Sequence, residues 1–188
     1  MKRFFLCLTA FVMLFCTASL AEETGDETEK VITVETDGVL ETVTQTRFTE
    51  KSLGISFWYE SEYLMVYDTQ VEDEAYGTVI VNPLDPANEM PIFLEIMSVD
   101  SLNMTAEEFL SSVPASFSLD DSGAVEEAVM DTGEHYCYMA GYKGDVYYEF
   151  YTITGSEVDI CVIMSCPMDA IATYGTRLDR LIWSLVFE

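Results

Sequence analysis

The chain is poor in the residues that most enzymes and nucleic-acid binders depend on. It has one histidine, His135, so any Ser–His or Cys–His machinery would have to be built around that single imidazole. No Gly-x-Ser-x-Gly elbow, metalloprotease histidine pair or phosphate-cradling glycine loop occurs. Paired carboxylates exist only in the sense that 34 acidic residues always offer pairs. The chain therefore reads as a non-enzyme with no cofactor. Basic residues are scarce as well, eight in all, and two of them lie in the first three positions. Past residue 21, six basic residues face 34 acidic ones, a net charge near −28. A surface this negative lacks the attraction to phosphate that drives nucleic-acid binding, and it disfavours anionic membranes.

Long apolar runs are confined to the N-terminus. Lys2 and Arg3 precede an apolar stretch from Phe4 to Leu14, and Ser19-Leu20-Ala21 supplies small residues for a peptidase. This pattern predicts a cleaved secretory signal over 1–21 and a mature chain from Glu22, secreted or associated with the cell envelope. Cys16 offers a lipid-anchor reading, but bulky Phe15 stands where lipoprotein signals carry a small residue. No second run approaches membrane length, so no stable span is expected after cleavage.

What is abundant is aromatic. Eleven Phe and eleven Tyr exclude general disorder, and about 167 mature residues suit one domain plus a tail. Residues 22–45 are acidic, rich in Thr and Glu, and read as a linker. Against that, two alternating stretches within 31–44 flank Asp37-Gly38, a good two-residue hairpin turn. From residue 46 to 188 the texture is that of a folded domain, expected to be monomeric. Strands are predicted at Ile55–Tyr59, Tyr63–Asp68, Tyr76–Val81 and Ile92–Val99. Thr105 and Glu108 form a capping box ahead of a helix that Pro114 should end or kink. His135–Ala140, Val146–Ile153 and Val158–Met164 then read as a three-strand meander. Pro167 opens a closing helix whose buried face includes Ile171, Leu178, Leu181 and Ile182. The fold class is α+β, an α/β/α sandwich on a mainly antiparallel sheet.

Three stretches resemble the PsbP-like superfamily, named for an accessory protein of the photosynthetic oxygen-evolving complex. Leu53-Gly-Ile-Ser-Phe-Trp-Tyr-Glu-Ser-Glu-Tyr63 is similar to its opening "G-[FY]-S-I-x-Y-P-x-x-W" strand. Gly133 to Ile153 is similar to the strand pair after a "G-x-x-[AG]-Y" turn. Ser165 to Glu188 is similar to the closing helix that runs into "S-F-x-F", here Ser184-Leu-Val-Phe187. Glu60 stands where the family favours Pro, and Tyr63 where it favours Trp. The resemblance implies an accessory or binding module and no specific activity. Together with the leader, the chain reads as a secreted binding or accessory protein of the bacterial envelope, with a protein or small ligand as partner.

Two site readings remain. If the late turns centre on Lys143-Gly144 and Gly155, Cys137 and Cys161 both lie opposite Glu149, with His135, Tyr151 and Asp159 in the next row. A face bearing His135, Glu149, Tyr151 and Asp159 would form a candidate metal or polar-ligand site, the alternative reading being a sensor domain. The flanking strands would hold Cys137 and Cys161 about 9.6 Å apart, beyond disulfide reach, so three unbridged thiols are expected, Cys166 being the third. The acids Asp68, Glu72, Asp73 and Glu74, with Asp85 and Asn88, make a looser calcium candidate without the regular loop spacing.

Overall fold

The computed structural model describes residues 28–36, 38–69, 75–84 and 91–188. The expected leader and, of the calcium candidate, Glu72, Asp73, Glu74, Asp85 and Asn88 lie outside the described residues. The chain begins with β1 (Glu29–Thr36), β2 (Val39–Glu50), β3 (Ile55–Glu60), β4 (Leu64–Thr69), β5 (Thr78–Pro83) and β6 (Phe93–Ser98). A single 3-10 turn leads into α1 (Ala106–Ser116), and two short strands follow, β7 (Asp121–Ser122) and β8 (Glu126–Val129). The meander is β9 (His135–Lys143), β10 (Val146–Ile153) and β11 (Ile160–Pro167), and the chain closes with α2 (Thr176–Ile182) and β12 (Val186–Phe187).

These strands form two sheets, one ordered β1-β2-β3-β12 and a larger one ordered β4-β5-β6-β11-β10-β9-β7, with β8 also paired to β9. Every pair among the described strands is antiparallel. The large sheet is covered on both faces. On one, Met139, Phe150, Cys161 and Ile163 pack against Phe109, Leu110 and Val113 of α1. On the other, Tyr151, Ile153, Val162 and Met164 pack against Leu178, Leu181 and Ile182 of α2 and against Ile55 and Phe57 of the small sheet. The result is the expected α+β sandwich, with α2 sharing its layer with a second sheet. β11 is consequently buried at all eight positions.

Two local readings differ from expectation. The stretch over 22–45 does not read as a plain linker from Glu29 onward. β1 and β2 pair in register from Glu29↔Thr46 to Thr36↔Val39, with Gly38 in the left-handed region at φ 74°. β2 then runs past residue 46 without a break and pairs with β3, which supplies the third strand that a lone hairpin needs. Pro167 does not open the last helix. It is the final residue of β11, opposite Val146, and a π-helical turn over Ile171–Gly175 intervenes before α2. Pro lacks a donor, which a strand's last residue can forgo as readily as a helix's first turn.

α1 follows its sequence signal closely. The Glu108 N–H donates to Thr105 Oγ1 at 3.2 Å, and the Thr105 N–H donates to Glu108 Oε2 at 2.8 Å. Pro114 sits in the last turn, and the helix ends two residues later. Thr105→Ala should lower the unfolding free energy by about 1 kcal/mol, measured as a shift in urea midpoint at unchanged slope; an unchanged midpoint would remove the cap from the account.

Candidate functional site

The meander's register decides which predicted site residues meet. Glu149 lies opposite Ala140 on one side and Met164 on the other, while Thr152 lies opposite both Cys137 and Cys161. This is three residues away from the expected pairing, an odd slip, and an odd slip turns every side chain of β10 to the other face relative to its neighbours. The first turn is a two-residue loop at Gly144-Asp145, with Gly144 left-handed at φ 58°. The second connection is a wider loop that closes Ile153 against Ile160 rather than a tight turn at Gly155.

The expected ligand face therefore divides. Glu149 and Tyr151 point to the α2 side, and His135, Cys137 and Cys161 to the α1 side. Asp159 lies exposed just before β11, its carbonyl accepting the Val99 N–H at 2.9 Å. Among the described residues, no three His, Cys, Asp or Glu side chains come together to hold a metal. What remains around His135 is an open groove of about 310 Å3, lined by Cys137, Thr152, Thr154, Glu127 and Ala106 at the start of α1.

On the α2 side the sheet carries a polar cluster. Alternation on β10 places Tyr147, Glu149 and Tyr151 on one face, and Tyr138 joins them from β9. Glu149 is 8% exposed. Its Oε1 accepts the Tyr147 hydroxyl at 2.7 Å and the Tyr138 hydroxyl at 3.3 Å; its Oε2 accepts the Tyr151 hydroxyl at 2.8 Å. Asp179 of α2 lies next to this cluster. Burial, reinforced by the Glu149 charge, pushes Asp179 up to about 8, against a smaller opposing pull from Arg180. All three tyrosine hydroxyls are pushed above their ordinary range, first by burial and then by the Glu149 charge. Such an arrangement satisfies a buried carboxylate almost completely, and it keeps the phenols protonated at neutral pH.

On either side of Asp179 in the chain, Arg177 and Arg180 reach the other sheet. Glu60, 1% exposed at the end of β3, accepts from Arg177 through Oε2 and from the Arg180 Nε and Nη2 through Oε1, at 2.9 and 2.7 Å. Arg177, 3% exposed, also pairs with Glu41 of β2 at 2.8 Å. Its guanidinium stacks 3.6 Å above the Tyr63 ring. Glu41 is held below the usual carboxylate range, chiefly by the Thr36 hydroxyl and then by Arg177. Alternation along the strand places Glu149 and Tyr151 on one face, but the sequence offers no sign of the α2 side of either cluster. Arg177, Asp179 and Arg180 fall outside the buried face expected of the closing helix, whereas α2 lies between two sheets and has no wholly wet side there.

Similarity to known proteins is confined to fold. No protein-family model matches the chain, and no curated protein does. The solution structure of cyanobacterial PsbP (CyanoP) from Synechocystis sp. PCC 6803 matches with a TM-score of 0.51 at 15% sequence identity, over 77% of this chain and 92% of that one. The chain has a PsbP-like fold. Among the described residues, no helix is long and apolar enough to cross a membrane.

The thiols differ in environment. Cys161 and Cys166 are buried, and burial pushes them up to about 12 and about 11. Cys137 is half-buried and opens on the His135 groove. In the mature chain starting at Glu22, a thiol reagent at neutral pH should therefore label one cysteine in native protein and three in denatured, unreduced protein. Native labelling of Cys161 or Cys166, or fewer than three thiols after denaturation, contradicts these assignments.

Proposed function

We propose that this chain is a secreted, non-catalytic binding or accessory protein of the bacterial cell envelope. The observation that carries the reading is how the fold uses its reactive groups. Glu149 and three tyrosines bind one another, and Glu60 and two arginines do the same. Two of the three thiols among the described residues are enclosed by apolar neighbours. Polar side chains committed to internal partners are suited to holding a shape rather than turning over a substrate. The leader pattern of residues 1–21 and the strong acidity support a life outside the cytoplasm, where net charge maintains solubility. The PsbP resemblance supports an accessory role through fold alone.

A contact surface is available where α2 meets β9. Trp183 is 48% exposed, and its ring meets Tyr136 edge-on with centroids 5.6 Å apart. Exposed tryptophan next to tyrosine supplies contact area at low entropic cost. α2 covers most of the aromatic face of the large sheet, and Trp183 at the end of α2 and Tyr136 beside it stay accessible. The second reading, a small-ligand or sensor domain, rests on the groove beside His135, with Cys137, Thr152 and Thr154 as polar lining.

One experiment separates the two. The native chain, Trp183→Ala and His135→Ala are each used to capture partners from the extracellular and envelope fractions of the producing organism. The account predicts a mature protein starting at Glu22 and a captured protein that Trp183→Ala loses and His135→Ala keeps. A full-length cytoplasmic protein, or capture indifferent to Trp183→Ala, contradicts it; loss with His135→Ala alone favours the groove.

A further inference from the structure

One face of the large sheet is only half covered. On that side α1 packs over β9, β10 and β11, and its cover ends at β6, whose Phe93 and Met97 border it half-buried. Strand register extends the face outward. Glu95 lies opposite Ile163 of β11 and Ile80 of β5, and Ile80 lies opposite Tyr67 of β4. Directly opposed residues point to the same side. Phe93, Glu95, Met97, Ile80 and Tyr67 therefore form one continuous surface, with Met65 at its edge. Tyr67 is 37% exposed and Met65 45%. The chain has 34 acidic residues, yet Glu95 is the one carboxylate that β4, β5 and β6 carry on this face.

Glu95 has nothing to pair with in the free chain. It is half-buried among apolar neighbours, and among the described residues it makes no hydrogen bond or ion pair. Burial pushes its carboxyl above the usual carboxylate range, and a carboxylate desolvated without a partner costs stability. The cations that could relieve it are engaged elsewhere: Arg177 and Arg180 on Glu60, Arg47 on Glu188, and Lys30 over the Trp58 ring. Lys51 and Lys143 lie at the turns that follow β2 and β9. Segments 22–27, 70–74 and 85–90 contain no Lys or Arg, so they cannot supply the cation either. A second copy brings the same engaged cations and a net charge near −28 of its own. We propose that this open half-face, centred on Glu95, is a docking surface for a partner protein that presents an apolar segment carrying a lysine or arginine. Phe93, Met97 and Tyr67 supply the contact area, and methionine repacks readily to the shape of its partner. Docking removes water from Glu95, and the incoming cation gives it the charge-assisted hydrogen bond it lacks. The strongly acidic surface draws such a partner in. Trp183 and Tyr136 lie on the other side of the large sheet, so this surface does not depend on that contact.

The test selects peptides on the native chain from a displayed library of random sequences, then measures their affinity for variants. The expected peptides are apolar around a recurrent Lys or Arg. Glu95→Gln and Met97→Asp should each weaken their binding by about tenfold or more. A second measurement needs no peptide. Glu95→Leu removes an unpartnered charge from an apolar face, so it should unfold at a higher urea concentration than the native chain, although it binds the peptides no better than Glu95→Gln does. An empty selection, peptides without a basic residue, affinity indifferent to Glu95→Gln, or a Glu95→Leu chain less stable than the native one overturns the proposal. Peptides that Trp183→Ala loses and Glu95→Gln keeps belong to the Trp183 surface and overturn it too. Binding to phosphatidylcholine vesicles that Met97→Asp abolishes would assign the face to lipid and contradict a protein partner.

Discussion

The buried carboxylate of Glu60 is the contact on which the arrangement of this protein depends. Three elements distant in sequence meet there: β3, which carries it; α2, which brings Arg177 and Arg180; and the β1–β2 hairpin, which completes the charge balance through Glu41. Desolvating a carboxylate and a guanidinium costs several kcal/mol per ion, and only close, multiple hydrogen bonds offset it. Here both Glu60 oxygens are engaged, and Arg177 is sandwiched between two carboxylates and the Tyr63 ring. An interface closed in this way tolerates no sliding. Apolar Leu178, Leu181 and Ile182 give α2 its affinity for the sheets, but apolar contacts are non-directional. The arginines set its position and rotation.

That setting has a bearing on the far side of the helix. With Arg177 and Arg180 turned towards β3, Asp179 lies next to Glu149 and its tyrosines. The two clusters are thus parts of one arrangement, built around the same short helix. The aromatic surface at Trp183 is positioned by the same seven-residue helix, so the stability of the fold and the shape of its accessible face are linked.

Much of the fold could be read in the chain, and the failures have definite causes. α1 was legible because its cap is a local device, complete within four residues. The strands from Ile55 to Val99 alternate or end in turn residues, and they appear within a few positions of where they were expected. The short β7 and β8 were missed because they are exposed throughout and acidic, with no buried face to impose alternation. The meander register failed for the opposite reason. β11 is buried on both faces, so hydrophobicity marks neither face as the inner one. Turn position alone then sets the pairing, and an error of an odd number of residues separated His135 from Glu149. The PsbP-like pattern pointed to the fold, and its two departures prove connected: Glu60 and Tyr63 are the residues against which Arg177 is held. A proline at residue 60 could not receive an arginine.

A double-mutant cycle between Glu60 and Arg177 tests this account most directly, with unfolding free energies measured for the native chain, Glu60→Gln, Arg177→Met and the double variant. Each single change should cost about 3 kcal/mol or more, because it leaves a buried charge short of its partner, and the double variant should cost much less than their sum. A coupling of about 2 kcal/mol or more is the predicted result. Additive effects, or single variants as stable as the native chain, would show that α2 is held by its apolar face alone and would contradict the account.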